Sequence, residues 1–329
     1  MNKNTNIKLT ELSVILPVFN EENNLNTLYE EIISCIKKLN INSYDLIFVN
    51  DGSFDESLNI IKELAKKDSN VKYIDLSRNF GHQIAISAGL EAAKGKRVVF
   101  MDADLQDPPH LIEDLYTKMD EGYDVVYAKR KSRKGESFFK KITAKWFYRI
   151  LSKLTKHNIP LDTGDFRIIN RKVLNILKNM PEQQKFLRGQ IAWMGFKQTS
   201  VSFERDKRSE GKSGYSFKKM WRFAIDGITS FSDFPLKFAT LLGFVFSIVS
   251  FLLIIWALYK RFVVQEFVQG WTSLILSILF IGGIQLISLG IIGEYISRIA
   301  SNVKNRPLYI INETNLEEED TEGNEKSKH

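Results

Sequence analysis

Cysteine is almost absent from this chain, because Cys35 is the only one in 329 residues. A single cysteine excludes any disulfide within the chain and is typical of a protein that folds in a reducing compartment. Residues 1–5 are polar and lead into a predicted strand, so we expect no secretory signal peptide there. The sequence shows no internal repeat.

Acidic residues are fewer than basic ones, 39 against 46, and they are densest in the C-terminal stretch. The formal net charge is +7, and acidic residues are concentrated in residues 313–325, so the remainder is more basic than the total. Basic charge favours nucleic acid, anionic lipid or a phosphorylated substrate as partner. The chain is 44% hydrophobic and 26% charged, which excludes a disordered or wholly membrane-embedded protein.

Charge is nearly missing from two long segments. Residues 236–258 contain one charged side chain, Lys237, and residues 271–293 contain none. Each is long enough to cross a hydrocarbon core of ~30 Å, and the alternative is a pair of buried core helices. Lysine and arginine flank the pair more densely than they occupy its link, which predicts both termini and the globular part in the cytoplasm. Two spans in the cytoplasmic (inner) membrane favour lipid and phosphorylated partners over nucleic acid.

Strands alternate with helices along the first 130 residues. The predicted strands are 13–18, 45–50, 71–76, 97–101 and 124–128, and the predicted helices are 23–39, 56–67, 83–93 and 109–121. This alternation predicts an α/β domain with a mostly parallel sheet. Ligands of such sheets bind beyond the carboxyl ends of the strands.

Polar clusters follow four of these strands, at the predicted ligand edge. They are Asn20-Glu21-Glu22, Asp51-Gly52-Ser53, Arg78-Asn79-Phe80-Gly81-His82 and Asp102-Ala103-Asp104. One such cluster is ordinary loop chemistry, whereas four at one edge predict a site.

Asp102 and Asp104 are spaced to share a cation. Residues i and i+2 of an extended segment face the same way, so the two carboxylates predict a Mg²⁺ or Mn²⁺ site that also binds substrate phosphates. The alternative is a solvated turn. Continuation of the polar run into Gln106, Asp107 and two prolines favours the site.

Two segments predict helices that lie on a membrane surface. Residues 137–155 and 216–234 carry aromatic and aliphatic residues at helical spacing, interleaved with lysine and arginine. The alternative for the first is a helix packed on the sheet.

Six motifs in order resemble one enzyme family. The sequence from about residue 12 to 305 is similar to the family 2 polyprenyl-phosphate glycosyltransferases of the bactoprenol glucosyltransferase and dolichyl-phosphate mannose synthase group. The motifs are Leu16-Pro17-Val18-Phe19-Asn20-Glu21-Glu22, Val49-Asn50-Asp51-Gly52-Ser53, Arg78-Asn79-Phe80-Gly81-His82, Asp102-Ala103-Asp104-Leu105-Gln106-Asp107-Pro108, Gly164-Asp165-Phe166-Arg167 and 204–213. The resemblance implies a GT-A fold, Rossmann-like, followed by interfacial helices and two transmembrane helices.

The resemblance also implies roles for particular residues. Those for the nucleotide sugar are Pro17, Phe19, Glu21, Asp51, Arg78, Gly81 and Asp102. Those for the metal are Asp102, Asp104 and Gln106, and those for the acceptor phosphate are Arg130, Arg205, Arg208 and Lys212. Asp165 and Asp104 are the catalytic candidates. A phosphate acceptor is already largely ionised at neutral pH, so Asp165 is either a base or a positioning residue.

The implied reaction is inverting transfer of a hexose from UDP-glucose to undecaprenyl phosphate. UDP-N-acetylglucosamine is the alternative donor. A processive polysaccharide synthase is disfavoured because Gln190-Ile191-Ala192-Trp193 lacks that class's arginine and two spans are too few for a channel. A non-enzymatic scaffold or flippase subunit remains the alternative outside enzymes. The family also implies a homotetramer and a downstream flippase, which no sequence feature requires.

The resulting domain prediction has four parts. They are a catalytic domain over 1–215, a juxtamembrane helix over 216–234, two transmembrane helices over 235–300 and a cytoplasmic tail over 301–329 that is disordered after about residue 312.

Overall fold

The computed structural model describes residues 10–130, 163–203, 234–259, 262–263 and 270–316. These residues fall into two compact units. The first contains 10–130, 163–203 and 307–316, and the second contains the described residues between 234 and 306. The predicted surface helix over 137–155, nearly all of the one over 216–234, and Arg205, Arg208 and Lys212 lie outside the described residues.

A single mixed sheet organises the first unit. Its strands are β1 (Leu12–Val18), β2 (Tyr44–Asn50), β3 (Val71–Leu76), β4 (Arg97–Phe100), β5 (Val125–Arg130), β6 (Thr163–Asn170), β7 (Gln198–Phe203) and β8 (Ile311–Thr314). Their order across the sheet is β7-β5-β6-β4-β1-β2-β3-β8. Neighbours among β1–β4 are parallel, as are β5 and β7, whereas β6 and β8 run antiparallel to their neighbours. The predicted α/β class is confirmed.

Helices cover both faces of this sheet. They are α1 (Leu25–Lys38), α2 (Ser57–Lys67), α3 (His82–Ala92), α4 (Leu111–Met119), α5 (Arg171–Lys178) and α6 (Leu187–Trp193). Val14 and Leu16 of β1 pack in one core with α1, α2 and α4, while Ile15 packs in another with α3, α5 and α6. Successive strand side chains point to opposite faces, so β1 is buried along its whole length.

The C-terminal segment corrects the sequence prediction. The sequence predicts disorder after about residue 312, yet β8 pairs antiparallel with β3 and the structure describes the chain to residue 316. Most of the segment is polar, although Leu316 packs against the core that contains Ile74 and Leu76. Hydrogen bonds also hold it: Asn315 Oδ1 accepts from the Tyr73 amide at 2.7 Å, and the Tyr73 carbonyl accepts from Thr314 Oγ1 at 2.6 Å.

Two apolar helices form the second unit. They are α7 (Phe234–Tyr259) and α8 (Trp271–Lys304). By length and composition, Leu236–Leu253 with mean hydropathy 2.1 and Phe280–Lys304 with mean hydropathy 1.4 could each cross a membrane. Neither window is buried, unlike the core helices that were the alternative. The rings of Phe246 and Phe280 meet edge to face, with centroids 5.3 Å apart.

Candidate functional site

The sheet order places four strand ends side by side. Strands β4, β1, β2 and β3 are adjacent and parallel, so the loops that follow them share one edge of the sheet. This is the edge at which open α/β sheets bind ligands. The polar clusters of the sequence all lie in these loops.

The loops after β1 and β2 are tied together by hydrogen bonds. The Asn20 amide donates to Ser53 Oγ at 3.0 Å, and the Phe54 amide donates to Asn20 Oδ1 at 2.8 Å. Asn20 has a φ of 56°, a left-handed conformation that asparagine tolerates better than most residues. The Glu21 amide donates to the Ser57 hydroxyl at 2.9 Å, which fixes the start of α2 against the same loop.

Asp51 clamps the loop after β3. Its side chain is buried, with Oδ1 accepting from the Phe80 amide at 2.7 Å and Oδ2 from the Gly81 amide at 3.0 Å. Burial raises the pKa of Asp51, although both backbone hydrogen bonds favour the carboxylate. Gly52 closes the contact: a Cβ there would lie 2.6 Å from the Arg78 carbonyl carbon. The loops after β1, β2 and β3, which carry residues predicted to surround the nucleotide, are therefore held together.

The acidic side chains of Glu21, Asp102 and Asp104 lie near one another beside these loops. Burial raises the pKa of Glu21, and the negative charges of Asp104 and Asp102 raise it further. Asp104 Oδ1 accepts from the Gln106 amide at 3.0 Å, which shapes the turn after β4. Carboxylates that lie close together repel one another, and a divalent cation with carboxylate ligands would offset that repulsion.

The described residues contain no group of three or more His, Cys, Asp or Glu side chains arranged as a complete metal site. The Asp102 and Asp104 carboxylates still fit Mg²⁺ or Mn²⁺, because such ions commonly take one or two protein carboxylates and complete their shell with phosphate oxygens and water.

A second polar cluster connects Asp102 to Asp165. His82 Nε2 lies 2.7 Å from Asp102 Oδ1, and His82 Nδ1 lies 3.7 Å from Asp165 Oδ2. Gln83 Nε2 donates to Asp165 Oδ2 at 2.9 Å, and Arg188 Nε lies 3.0 Å from Asp165 Oδ1. Desolvation lowers the pKa of His82, but the hydrogen bond and charge of Asp102 outweigh it and raise the pKa overall. The carboxylate of Asp165 thus accepts a hydrogen bond from the Gln83 amide and forms an ion pair with the Arg188 guanidinium.

Arg167 supports Asp165 through the backbone. Its side chain is 1% exposed, and its guanidinium donates to the carbonyls of Gly164 at 3.1 Å and Asp165 at 3.4 Å. Burial lowers the pKa of Arg167 to about 10. Arg167 therefore shapes the end of β6 that carries Asp165.

The other predicted residues are placed less centrally. Pro17 is buried within β1, and Phe19 is 42% exposed with its ring edge to face with that of Phe54 at 6.1 Å. The exposed Arg78 places its guanidinium 3.9 Å above the ring of Phe80. Arg130 ends β5. Of the four residues predicted to bind the acceptor phosphate, only Arg130 lies within the described residues.

Sequence reasoning missed Gln83 and Arg188. Arg188 lies in α6, which the sequence pattern did not predict, and is 23 positions beyond its partner Asp165 in the chain. The signal that could have found Gln83 is its place directly after the Arg78–His82 motif, at the first turn of a helix on the ligand edge. Only the packing of α6 near α3 identifies Arg188.

Comparisons with known proteins match both parts of the chain. Residues 13–177 match the family model Glycosyl transferase family 2, and residues 234–299 match the GtrB C-terminal hairpin. Uncharacterized glycosyltransferase YkcC of Bacillus subtilis is 48% identical over 301 residues, covering 92% of this chain and 93% of YkcC. The SfII prophage-derived bactoprenol glucosyl transferase of Shigella flexneri is 40% identical over 301 residues, covering 92% and 97%. A crystal structure of S. aureus TarS with UDP-GlcNAc covers 68% of this chain and 67% of that chain, with 18% identity and a TM-score of 0.43.

Proposed function

Because the chain belongs to glycosyl transferase family 2, we propose that it transfers glucose from UDP-glucose to undecaprenyl phosphate with inversion. The observation that carries this proposal is the match along nearly the whole chain, hairpin included, to relatives named bactoprenol glucosyl transferase. The chain is a glycosyltransferase with a GT-A fold. The donor sugar, the acceptor lipid and the stereochemistry are the proposed part.

The two apolar helices support a lipid acceptor. Leu236–Leu253 and Phe280–Lys304 are long and apolar enough to anchor the enzyme in the cytoplasmic membrane, where a polyprenyl phosphate resides. We place both termini and the catalytic domain in the cytoplasm, where nucleotide sugars are made. The product then requires a separate flippase to cross the bilayer. We also propose a homotetramer.

On the donor side, Pro17, Phe19, Glu21, Asp51, Arg78 and Gly81 would surround the nucleotide. Asp102, Asp104 and Gln106 would hold the diphosphate together with Mg²⁺ or Mn²⁺. When bound, the cation supplies charge neutralisation for the diphosphate leaving group. The convergence of Glu21, Asp102 and Asp104 supports a cation at this edge.

On the acceptor side, Asp165 would orient the acceptor rather than deprotonate it. A phosphate monoester has its second pKa near 6, so it reaches neutral pH already largely ionised. Arg188, 3.0 Å from Asp165, offsets the negative charge that a carboxylate would otherwise present to the incoming phosphate. Arg130, Arg205, Arg208 and Lys212 would supply further cationic donors that match phosphate oxygens.

The reaction is tested with the purified full chain in detergent, labelled UDP-glucose or UDP-N-acetylglucosamine, and undecaprenyl phosphate. We expect a labelled lipid from UDP-glucose, formed with Mg²⁺ or Mn²⁺ and lost with EDTA. A labelled lipid from UDP-N-acetylglucosamine alone would reassign the donor. A labelled polymer would contradict the proposed product, and failure to consume either donor would favour a non-enzymatic role.

Asp104→Asn tests the metal assignment. The substitution keeps the side-chain size but removes the charge, so we expect transfer to fall by about 100-fold or more, on the scale of losing an electrostatic contact to developing charge. Membrane insertion should be unchanged. Asp114→Asn, an exposed position in α4, removes the same charge elsewhere and should retain full activity. Equal activity of the two variants would contradict the assignment.

A further inference from the structure

The C-terminal segment that contains β8 is hydrogen-bonded to the end of β3, next to the candidate nucleotide site. The Ser77 amide donates to the Ile310 carbonyl at 2.9 Å, one residue before Arg78. Asn312 Nδ2 donates to Asp75 Oδ2 at 2.8 Å. A segment that follows the second apolar helix in the chain is therefore bonded to the end of β3.

A chain of hydrogen bonds continues from Asn312 to the loop after β2. Asp75 Oδ1 accepts from Asn50 Nδ2 at 2.7 Å, and Asn50 Oδ1 accepts from the Ser53 amide at 3.3 Å. Asp75 and Asn50 are 4% and 2% exposed. Because Asp75 accepts from the amide nitrogen, the Asn50 carbonyl oxygen is turned towards Ser53. Each link fixes the orientation of the next.

A β-bulge in β8 allows Asn312 to contact Asp75. The pairing of β8 with β3 shifts register between Asp75, which is opposite Glu313, and Leu76, which is opposite Ile311, so Asn312 is the extra residue. In a regular strand Asn312 and Glu313 would face opposite sides of the sheet. Here they bond to Asp75 and to the Tyr73 hydroxyl, positions that share one face of β3. Bulges are known to re-aim a side chain beside active sites.

This series of hydrogen bonds ends in the loop after β2, which is part of the proposed nucleotide site. Asn50 directly precedes Asp51, whose carboxylate holds the Phe80 and Gly81 amides. Ser53, held by Asn50, accepts from the Asn20 amide in the loop after β1. Asn50 and the residues that follow it thus connect the loops after β1, β2 and β3 by hydrogen bonds.

We propose that Asn312 is a positioning residue for the nucleotide, acting through Asp75 and Asn50 to hold the loop after β2 in its binding conformation. This inference rests on the proposed function, since it takes UDP as the ligand of that loop. Removing Asn312 leaves one oxygen of a buried carboxylate without this donor, which releases Asn50 to other orientations.

The experiment compares Asn312→Ala with Asn315→Ala in the full chain. Asn315 is a matched control, because its side chain bonds the Tyr73 amide and the Val71 carbonyl of the same strand instead of the Asp75 carboxylate. We expect Asn312→Ala to raise the KM for UDP-glucose and the Kd for UDP about fivefold or more, with kcat within about twofold, because one hydrogen bond to a charged group is lost. Asn315→Ala should leave KM and Kd unchanged.

Exchanging the amide of Asn312 and the carboxylate of Asp75 separates a positioning role from a general effect on protein stability. Asn312→Asp places two carboxylates together and should weaken UDP binding further, whereas Asn312→Asp combined with Asp75→Asn restores a donor–acceptor pair and should recover it. Hydrogen exchange of residues 50–56 should be faster in Asn312→Ala and normal in the double variant.

Failure of this inference differs from failure of the proposed function. If Asn312→Ala behaves like Asn315→Ala in both UDP binding and hydrogen exchange, or if the double variant shows no recovery, the positioning role is overturned. If the wild-type chain forms no glycosyl lipid but binds UDP with the expected variant pattern, the acceptor assignment fails and the positioning role stands.

Discussion

Gln83 uses both ends of its amide at the candidate site. Its nitrogen donates to Asp165 Oδ2 at 2.9 Å, and its oxygen accepts from the Leu187 amide at 3.2 Å. Leu187 is the first residue of α6, and Arg188 follows it. One side chain therefore links the start of α3, the carboxylate of β6 and the helix that brings the guanidinium.

Gln83→Leu should slow transfer with little effect on donor binding. The variant removes a hydrogen bond to a carboxylate, a loss on the order of 1.5–3 kcal/mol, which corresponds to about tenfold or more in kcat. Initial rates at saturating donor and acceptor measure the change. Ser87→Ala, which removes a hydroxyl that donates to the Gln83 backbone carbonyl within the same helix, is the control and should behave as wild type. A normal kcat for Gln83→Leu would contradict the role.

Cys35 should resist alkylation in the folded protein. Its thiol is buried and donates to the Pro109 carbonyl at 3.5 Å, and burial with Glu113 nearby raises its pKa to about 11. At pH 8 only about one thiol in a thousand would be the reactive thiolate. Iodoacetamide labelling followed by mass spectrometry checks this, with protein unfolded in urea as the fully labelled control. Rapid labelling of the native chain would show that α1 and α4 open readily.

Gly52 and Gly122 are loop glycines with a left-handed backbone conformation. Gly52 has a φ of 69° and packs against Arg78 and Asn79. Gly122 has a φ of 88°, and a Cβ added there would meet open space, with no contact within 4 Å beyond its chain neighbours. The pair separates two causes of strain. One glycine is required by both conformation and contact, and the other by conformation alone.

Gly52→Ala should therefore impair donor binding, and Gly122→Ala should not. Both variants carry the left-handed backbone cost of ~1–2 kcal/mol. Only the first also forces a Cβ to within 2.6 Å of the Arg78 and Asn79 backbone, which separates the loops after β2 and β3. UDP titration should show at least about tenfold weaker binding for Gly52→Ala. Equal UDP affinity in the two variants would mean that this loop contact is not needed.

Element predictions succeed where the pattern is local. Strands β1–β4 and helices α1–α4 begin and end within a few residues of the predicted bounds, because alternation and helical periodicity are written in consecutive residues. Strand β8 was missed because its stability comes from Tyr73, Asp75 and Val71, more than 230 positions away in the chain.

At the scale of the whole molecule, the orientation across the membrane is the outstanding prediction. Residue 262 lies in the link between α7 and α8, and Lys304 ends α8. Because Cys35 is expected to be unreactive, a single introduced cysteine reports its own side. In right-side-out vesicles a membrane-impermeant maleimide should label Phe262→Cys and not Lys304→Cys, and inside-out vesicles should give the reverse. Labelling of Lys304→Cys from outside would place the catalytic domain outside the cytoplasm.

The sequence by itself determined the α/β class, the two apolar helices and the polar clusters that follow the strands at one edge of the sheet. These features follow from periodicity, segment length and residues that come directly after strands. Only the tertiary structure decided that Arg188 and Gln83 meet Asp165, and that Asn312 reaches Asp75. Such contacts join parts of the chain that are distant in sequence, and they exist only because the sheet order and a β-bulge bring those parts together.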